Sequence, residues 1–217
     1  MKQIKSQQSG FTLIEIAIVL VIIGLLLGGV LKGQEMIENS RIKSVVTDMR
    51  GVSTAFTGYF DRYRALPGDE SLANMTARGW PVTVGAGVAN NGVLVIAMNN
   101  TFNPTGDHIS MWQALRASGF LSGDPTATGV AALPRAGTGG LIGATVGPYA
   151  LQGPSVCVSP LSHKQALGVD TIIDGAAGNS VGDARGAIAA NPVAVLPAVT
   201  AYNESLATTW VICRRLQ

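Results

Sequence analysis

A carboxylate, Glu15, lies inside a stretch that contains no other charged residue, and its position calls for a chemical explanation. The stretch covers residues 11–31 (FTLIEIAIVLVIIGLLLGGVL), and an ionised side chain inside such a segment is costly unless a positive group compensates it. Gly10 stands directly before it. A cut after Gly10 would create a new amino group on Phe11, about one helical turn from Glu15. In a bundle of parallel copies, the amine of one chain would then meet Glu15 of its neighbour.

The stretch is also long enough to cross a lipid bilayer. At about 1.5 Å per residue, a helix over residues 11–31 just spans a hydrocarbon core of roughly 30 Å. Lys2 and Lys5 precede it, and this modest charge bias places the N-terminus in the cytoplasm and the bulk of the chain in the periplasm or outside the cell. A secretory signal has a shorter apolar core that ends at its cleavage site. Here the apolar core follows the proposed cut, so the anchor stays with the mature protein.

The motif GFTLIE at residues 10–15, followed by the apolar span, resembles the leader region of type IV prepilins and the related pseudopilins. The resemblance implies that a prepilin peptidase cuts after Gly10 and N-methylates Phe11, and that Glu15 is the residue required for assembly. It also implies the partners. These are copies of the chain and other pilins in a helical filament, an inner-membrane assembly platform with its motor ATPase, and the lipid bilayer before assembly.

One position departs from the family pattern. Main filament subunits usually carry a helix-breaking proline where this chain has Lys32. A stretch that melts in assembled pili is therefore expected to stay helical here, unless Gly24, Gly28 and Gly29 loosen it instead.

Residues 32–64 change from uniformly apolar to striped. Apolar side chains recur at intervals of three and four residues, which predicts an amphipathic helix that continues the span and packs against the rest of the chain. The stripe consists of Ile37, Ile42, Val45, Met49, Val52, Phe56, Tyr59, Phe60 and Tyr63. Pro67 and Gly68 are expected to end this helix.

Residues 65–217 contain many glycine and proline turns and few helical signals. Ser110–Phe120 predicts one short helix with Ser110 as its cap. Short β-prone runs between the turns predict an antiparallel sheet with long loops. These runs are Gly92–Met98, Leu141–Val146, Ser155–Val158, Val193–Val199 and Thr208–Cys213.

The predicted fold class is therefore α+β. The prepilin resemblance continues in pieces such as YRALPGD at 63–69, WQALRASGFLSG at 112–123 and HKQALGVDTIIDG at 163–175, and it implies the pilin fold, a long N-terminal helix packed on an antiparallel sheet. The expected parts are a leader (1–10), a transmembrane and assembly helix (11–31), an amphipathic continuation (32–64) and a β-rich periplasmic or extracellular domain (65–217).

Cys157 and Cys213 are the two cysteines of the chain. On the outer side of the inner membrane a pair of cysteines favours a disulfide, and the resemblance agrees, because many pilins close their C-terminal region with one.

The charge balance bears on possible partners. Removal of Lys2 and Lys5 with the leader leaves 13 basic side chains against 13 acidic ones. A formally neutral chain argues against general binding to nucleic acid or to an anionic membrane surface.

Two further motifs have the residue types of other chemistry. Gly178–Gly182 fits the GxSxG pattern of a hydrolase nucleophile, Ser180, but that fold expects its histidine after the serine, whereas His108 and His163 precede it. Asp170, Asp174 and Asp183 form an acidic cluster that offers oxygen ligands for calcium, although EF-hand spacing is absent. We interpret the first as a glycine-rich turn and the second as turn and cap aspartates. No cofactor is expected, with calcium as the one candidate.

The sequence thus predicts a subunit that enzymes act on and that is not itself an enzyme. The first hypothesis is a type IV pilus subunit, major or minor. The alternatives are a pseudopilin of a type II secretion system and a membrane-anchored periplasmic binding module that forms no filament. The absence of proline at Lys32 favours a minor or specialised subunit.

Overall fold

The computed structural model of the chain describes residues 12–81, 91–175, 178, 180–194, 202 and 209–216. The chain forms two compact units, Met1–Ser40 and Arg41–Gln217. One helix, α1 (Leu13–Tyr63), begins in the first unit and ends in the second. It continues through Lys32 and through the three glycines before it, as expected for a chain without the proline.

In the first unit, the described residues form the N-terminal part of α1. Apart from Glu15, its side chains between residues 13 and 31 are apolar on every side of the helix, and they are exposed, Leu13 to 92%. A helix without a polar face cannot be stable in water in this state. This part of α1 therefore requires lipid or other apolar helices around it.

Over its described residues, the second unit combines the rest of α1 with three further helices and one sheet. Its helices are α2 (Leu72–Ala77), α3 (Asp107–Ala117) and α4 (His163–Asp174), and its strands are β1 (Leu141–Val146), β2 (Pro154–Leu161), β3 (Ala184–Ile188) and β4 (Trp210–Arg215). Short 3-10 turns cover Met98–Asn100, Gly129–Ala132 and Pro148–Ala150. The sheet is antiparallel with strand order β1-β2-β4-β3. A long helix followed by an antiparallel sheet confirms the predicted α+β, pilin-like architecture.

One face of α1 forms the core of the second unit. Ile42, Val45, Met49, Val52, Phe56 and Tyr59 are buried there with side chains from the sheet, α3 and α4, as their spacing predicted. Gly168 allows α4 to approach α1, because a Cβ at this position would lie 2.8 Å from Cδ1 of Ile42. Two members of the predicted stripe are exposed instead, Phe60 to 41% and, in the first unit, Ile37 to 57%.

The predicted disulfide is present between β2 and β4. Cys157 and Cys213 are direct cross-strand partners with Cα atoms 4.0 Å apart. The bridge is fully buried in a small apolar cluster with Tyr149, Leu151 and Val211.

The run Gly92–Met98, predicted as a strand, is not one. The N–H of Val95 donates to the Asp107 carboxylate (3.0 Å), and the carbonyl of Ile96 accepts from the Thr145 hydroxyl (3.3 Å). These side chains satisfy backbone groups that a ladder would otherwise use, so the segment packs on β1 without joining the sheet.

The predicted start of helix α3 and the predicted strand at Val193–Val199 also differ from the structure. Helix α3 begins at Asp107 with Gly106 at the N-cap, so Ser110 lies inside the helix and is not its cap. Residues 193 and 194 of the run Val193–Val199 are not in a strand, and the remainder lies outside the described residues. The run Thr208–Cys213 is largely confirmed by β4, while Thr208 itself lies outside them.

Helix α4 was not predicted, although the sequence carries its signals. Ser162 and Gln165 form a capping box, in which each side chain accepts a hydrogen bond from the backbone N–H of the other residue. Gly175 ends the helix in the left-handed conformation (φ 75°). The short elements α2 and β3 were also missed.

Candidate assembly site

The first described residues form a capping arrangement at the start of α1. The backbone N–H and the hydroxyl of Thr12 both donate to Oε2 of Glu15, at 2.8 and 2.7 Å. The N–H of Glu15 in turn points at the Thr12 hydroxyl oxygen (3.4 Å). This is the reciprocal pattern of a capping box, and it fixes the orientation of the Glu15 side chain. The spacing Thr-x-x-Glu, here Thr12 and Glu15, is the sequence signal of this capping box.

The capping bonds leave part of the Glu15 carboxylate available. Both use Oε2, and Oε1 accepts no hydrogen bond from a described residue. The side chain is exposed, and apolar neighbours one turn further along the same helix face, Ile18 and Val19, flank it. A carboxylate held in this way can accept a further donor from outside the chain while it continues to cap its own helix.

Helix α1 satisfies the criteria for a membrane span. Within the described residues it is the one helix long and apolar enough to cross a bilayer, and its apolar window is entirely exposed. A core helix of a soluble protein would be buried, so that explanation does not fit. A signal sequence near the N-terminus would pass the same test, and the N-terminal motif decides between the two.

Comparison with known families identifies that motif. Residues 5–31 match the family described as the prokaryotic N-terminal methylation motif. This chain carries the type IV prepilin signature. The signature covers the predicted cleavage site, Glu15 and the apolar part of α1, and it implies processing by a prepilin peptidase and assembly into pilin filaments. The apolar helix and the prepilin signature together fit a membrane-anchored pilin.

The comparison with curated proteins gave no match, and neither did the comparison with solved structures. The prepilin signature is shared by pilins and pseudopilins. Gly10 and Phe11, the predicted residues of cleavage and methylation, lie outside the described residues.

In the predicted acidic cluster, Asp174 binds backbone N–H groups at the end of the connection that follows α4. The two carboxylate oxygens of Asp174 accept from the N–H groups of Asp183 and Ala184, at 3.0 and 2.9 Å. Asp183 itself lies 3.7 Å from the Arg215 guanidinium. Within the described part of the chain, no group of three His, Cys, Asp or Glu side chains is placed to hold a metal ion. This geometry agrees with turn and cap aspartates.

Asp170 has a different environment from the other two aspartates. Its Oδ2 accepts from the Gly178 N–H (2.9 Å) and from the Tyr202 hydroxyl (3.1 Å), while Oδ1 is buried and has no partner among the described residues. Burial raises the pKa of Asp170 to about 6, against the opposing effect of these two hydrogen bonds. Asp170 is therefore a buried structural carboxyl whose charge is costly.

The surroundings of Ser180 do not form a nucleophile elbow. Ser180 is buried in the connection that follows helix α4 and precedes strand β3, whereas the elbow requires a strand before the serine and a helix after it. His108 is engaged elsewhere, where its Nε2 accepts from the Ala144 N–H (2.9 Å). His163 is the first residue of α4, before the serine in the chain.

Proposed function

We propose that this protein is a structural subunit of a type IV pilus. The observation that carries the proposal is the overlap between the N-terminal methylation motif at residues 5–31 and the exposed apolar part of α1. The motif supports cleavage and methylation of the N-terminus, and the apolar part of α1 provides a surface that lipid or neighbouring helices must cover. The chain is inserted as a single-pass prepilin with its N-terminus in the cytoplasm. It is then cut after Gly10 and methylated on the amine of Phe11.

Assembly transfers α1 from lipid into a bundle of like helices. Lipid already shelters the apolar side chains, so the transfer gains little from the hydrophobic effect and depends on helix packing and on polar pairing. The available oxygen of Glu15 supports such pairing with the Phe11 ammonium of a neighbouring subunit. In this proposal Glu15 has two partners, its own Thr12 and the amine of the next chain.

The proposal assigns no catalytic residue to the chain. The enzymes are its partners, a prepilin peptidase before assembly and the motor ATPase of an inner-membrane platform during it. The matched motif is typical of structural, pilin-type subunits. Ser180 does not lie between a strand and a helix, as the nucleophile of a hydrolase elbow would. The assembled filament would lie outside the cell.

The test compares two carboxylates on the same helix. Glu15→Ala is expected to leave insertion and leader cleavage intact, and to lower the yield of sheared filaments by about tenfold or more, since a loss of about 1.4 kcal/mol per contact changes an association constant by that factor. Glu35→Ala is the matched control, because Glu35 pairs with Lys32 at the end of the apolar stretch (2.8 Å) and is not needed for the proposed contact. Mass spectrometry of the membrane protein from its native host reports cleavage and methylation in each strain.

The outcomes separate the parts of the proposal. An intact Met1 in the wild-type protein would refute processing, and a normal filament yield in Glu15→Ala would refute the pairing. Filaments confined to the periplasm would assign the chain to a secretion pseudopilus instead of a pilus.

A further inference from the structure

A cleft of about 620 Å³ opens in the second unit beside the C-terminal end of α1, and none of its lining residues belongs to the prepilin signature. Its lining includes Phe60, Tyr63, Arg64, Asn74 and Arg78. A volume of this size is in the range of small-ligand sites. The polar groups of the lining show which kind of ligand it fits.

The two carboxylates of the lining, Glu70 and Asp69, are already satisfied within the chain. Both oxygens of Glu70 bind the Arg78 guanidinium (2.6 and 2.5 Å), and Oε2 also accepts from the Tyr59 hydroxyl (2.5 Å). Burial alone would raise the pKa of Glu70, but hydrogen bonds from Arg78 and Tyr59, together with a weaker one from the Asn74 side chain, hold it below its ordinary value. The two oxygens of Asp69 accept from the N–H groups of Asn91 and Gly92, at 3.2 and 2.8 Å.

The donor groups are not satisfied to the same extent. The Arg78 guanidinium stacks on the rings of Tyr63 and Trp80, with its central carbon 4.4 and 5.0 Å from their centroids, so its orientation is fixed. A guanidinium has five N–H groups, and the bidentate pair with Glu70 uses one on each terminal nitrogen. The remaining ones have no partner among the described residues. The cleft therefore offers donors and needs a ligand that supplies acceptors.

Arg64 adds a positive charge to the cleft, and its backbone has a strained conformation that does not stabilise the fold. It directly follows α1 with φ 53°, in the left-handed region that a glycine adopts at much lower cost. Its N–H closes the last turn on the Phe60 carbonyl (2.8 Å), a bond that glycine would make equally well. The guanidinium is exposed and forms no ion pair or hydrogen bond with a described side chain. Attraction between its charge and the helix C-terminus offsets only part of the strain.

We propose that this cleft binds a carboxylate-bearing ligand. The carboxylate pairs with the Arg64 guanidinium, and the remaining acceptors of the ligand face the unpaired N–H groups of Arg78. The exposed ring of Phe60 contacts its apolar part. Two sources share this chemistry, a free acidic saccharide and an acidic side chain of another protein.

The test uses the full chain in detergent micelles and isothermal titration with matched probes. The probes are galacturonate against neutral galactose, and acetyl-Gly-Glu-Gly-amide against its Gln counterpart. At least one carboxylate probe is expected to bind with a Kd of about 1 mM or tighter, and its neutral counterpart about tenfold more weakly or not at all. Binding of galacturonate alone identifies the saccharide source, and binding of the peptide alone identifies the protein source.

Arg64→Gly separates binding from folding. It removes the guanidinium and relieves the backbone, so we expect at least a tenfold loss of affinity together with an unchanged or slightly higher unfolding temperature. Arg62→Ala is the matched control. Arg62 lies over the Tyr63 ring (5.4 Å) but does not line the cleft, so its removal should preserve binding. Absence of binding by every carboxylate probe, equal binding of the neutral counterparts, or undiminished affinity in Arg64→Gly would overturn the proposal.

Discussion

Asp170 and His108 are two buried ionisable residues whose environments shift their pKa values in opposite directions. Burial raises the pKa of Asp170 to about 6 and lowers that of His108 to about 4. In both cases burial favours the neutral form. His108 uses that form, because its neutral Nε2 accepts from Ala144 while Nδ1 faces the carbonyl of Asn100 (3.3 Å).

Asp170→Asn should change how stability depends on pH. In the unfolded chain the Asp170 carboxyl has an ordinary pKa near 4, so the folded protein binds this proton more tightly than the unfolded chain does. The free energy of unfolding therefore falls as the pH rises from about 4 through about 6. The wild-type chain then loses roughly 2–3 kcal/mol between about pH 4 and pH 7 through this residue. Asparagine keeps an oxygen for Gly178 and Tyr202 but does not titrate. The variant should therefore gain stability relative to wild type at the higher pH.

The measurement is chemical unfolding of both proteins in the same detergent at about pH 4.5 and pH 7.5. His108 has the opposite sign, because its stabilising contribution is present above pH 6.5 and is lost as the pH falls toward 4. It is the same in both proteins and cancels in their difference. An identical pH dependence for the two proteins would show that Asp170 is not a buried titrating group.

At the scale of elements, β1 is closely packed both on one face, at Gly143, and along its outer edge. Thr101 crosses Gly143 so closely that an added Cβ would lie 2.0 Å from the Thr101 carbonyl oxygen. The N–H of Ile142 donates to the carbonyl of Pro134 (2.8 Å) and that of Ala144 to His108. Loops and a side chain thus cover an edge that would otherwise be available for pairing with another strand.

Gly143→Ala should destabilise the second unit by roughly 1–3 kcal/mol, because a rigid backbone has to move to make room for the methyl group. Gly51→Ala is the matched control in α1, where nothing lies within 4 Å of the added carbon. It should stabilise the helix by about 0.5–1 kcal/mol. Thermal unfolding of the two variants checks both signs. A neutral Gly143→Ala would mean that Thr101 does not pack against β1 in solution.

At the scale of the whole molecule, the two units are held by different forces. The first presents apolar side chains to its surroundings, and the second has an internal core with a buried disulfide. The bridge joins residues 56 positions apart, so it restricts a large part of the unfolded chain. The contribution of the disulfide to the free energy of unfolding therefore depends on the length of chain between the two cysteines and not only on contacts between β2 and β4.

Replacement of Cys157 and Cys213 by serine should lower the free energy of unfolding by about 4 kcal/mol in the chain-entropy model. Reduced wild-type protein should show a similar loss, which separates the missing bridge from the effect of the new hydroxyls. A reductant should not affect the serine variant. A loss below about 1 kcal/mol in both proteins would contradict the loop-closure explanation.

The prediction from sequence succeeded where the signal is local. The long N-terminal helix and the stripe in its second half depend on composition and spacing within one helix, and α1 confirms them, with most of the stripe buried. The disulfide followed from two cysteines in an oxidising compartment. Prediction failed where distant segments compete, as at Gly92–Met98, where Asp107 and Thr145 bind backbone groups of a segment that has the composition of a strand.

The sequence by itself therefore determined the prepilin signature, the apolar N-terminal helix and its amphipathic continuation, because helix periodicity and the N-terminal motif are encoded by neighbouring residues. The tertiary structure decided the strand order β1-β2-β4-β3, the use of the aspartates in a turn, and the assembly of Arg64, Arg78 and Glu70 at one cleft. These features depend on contacts between residues that the folded backbone brings together. No local pattern specifies such contacts, because their free energy appears only when the core has formed.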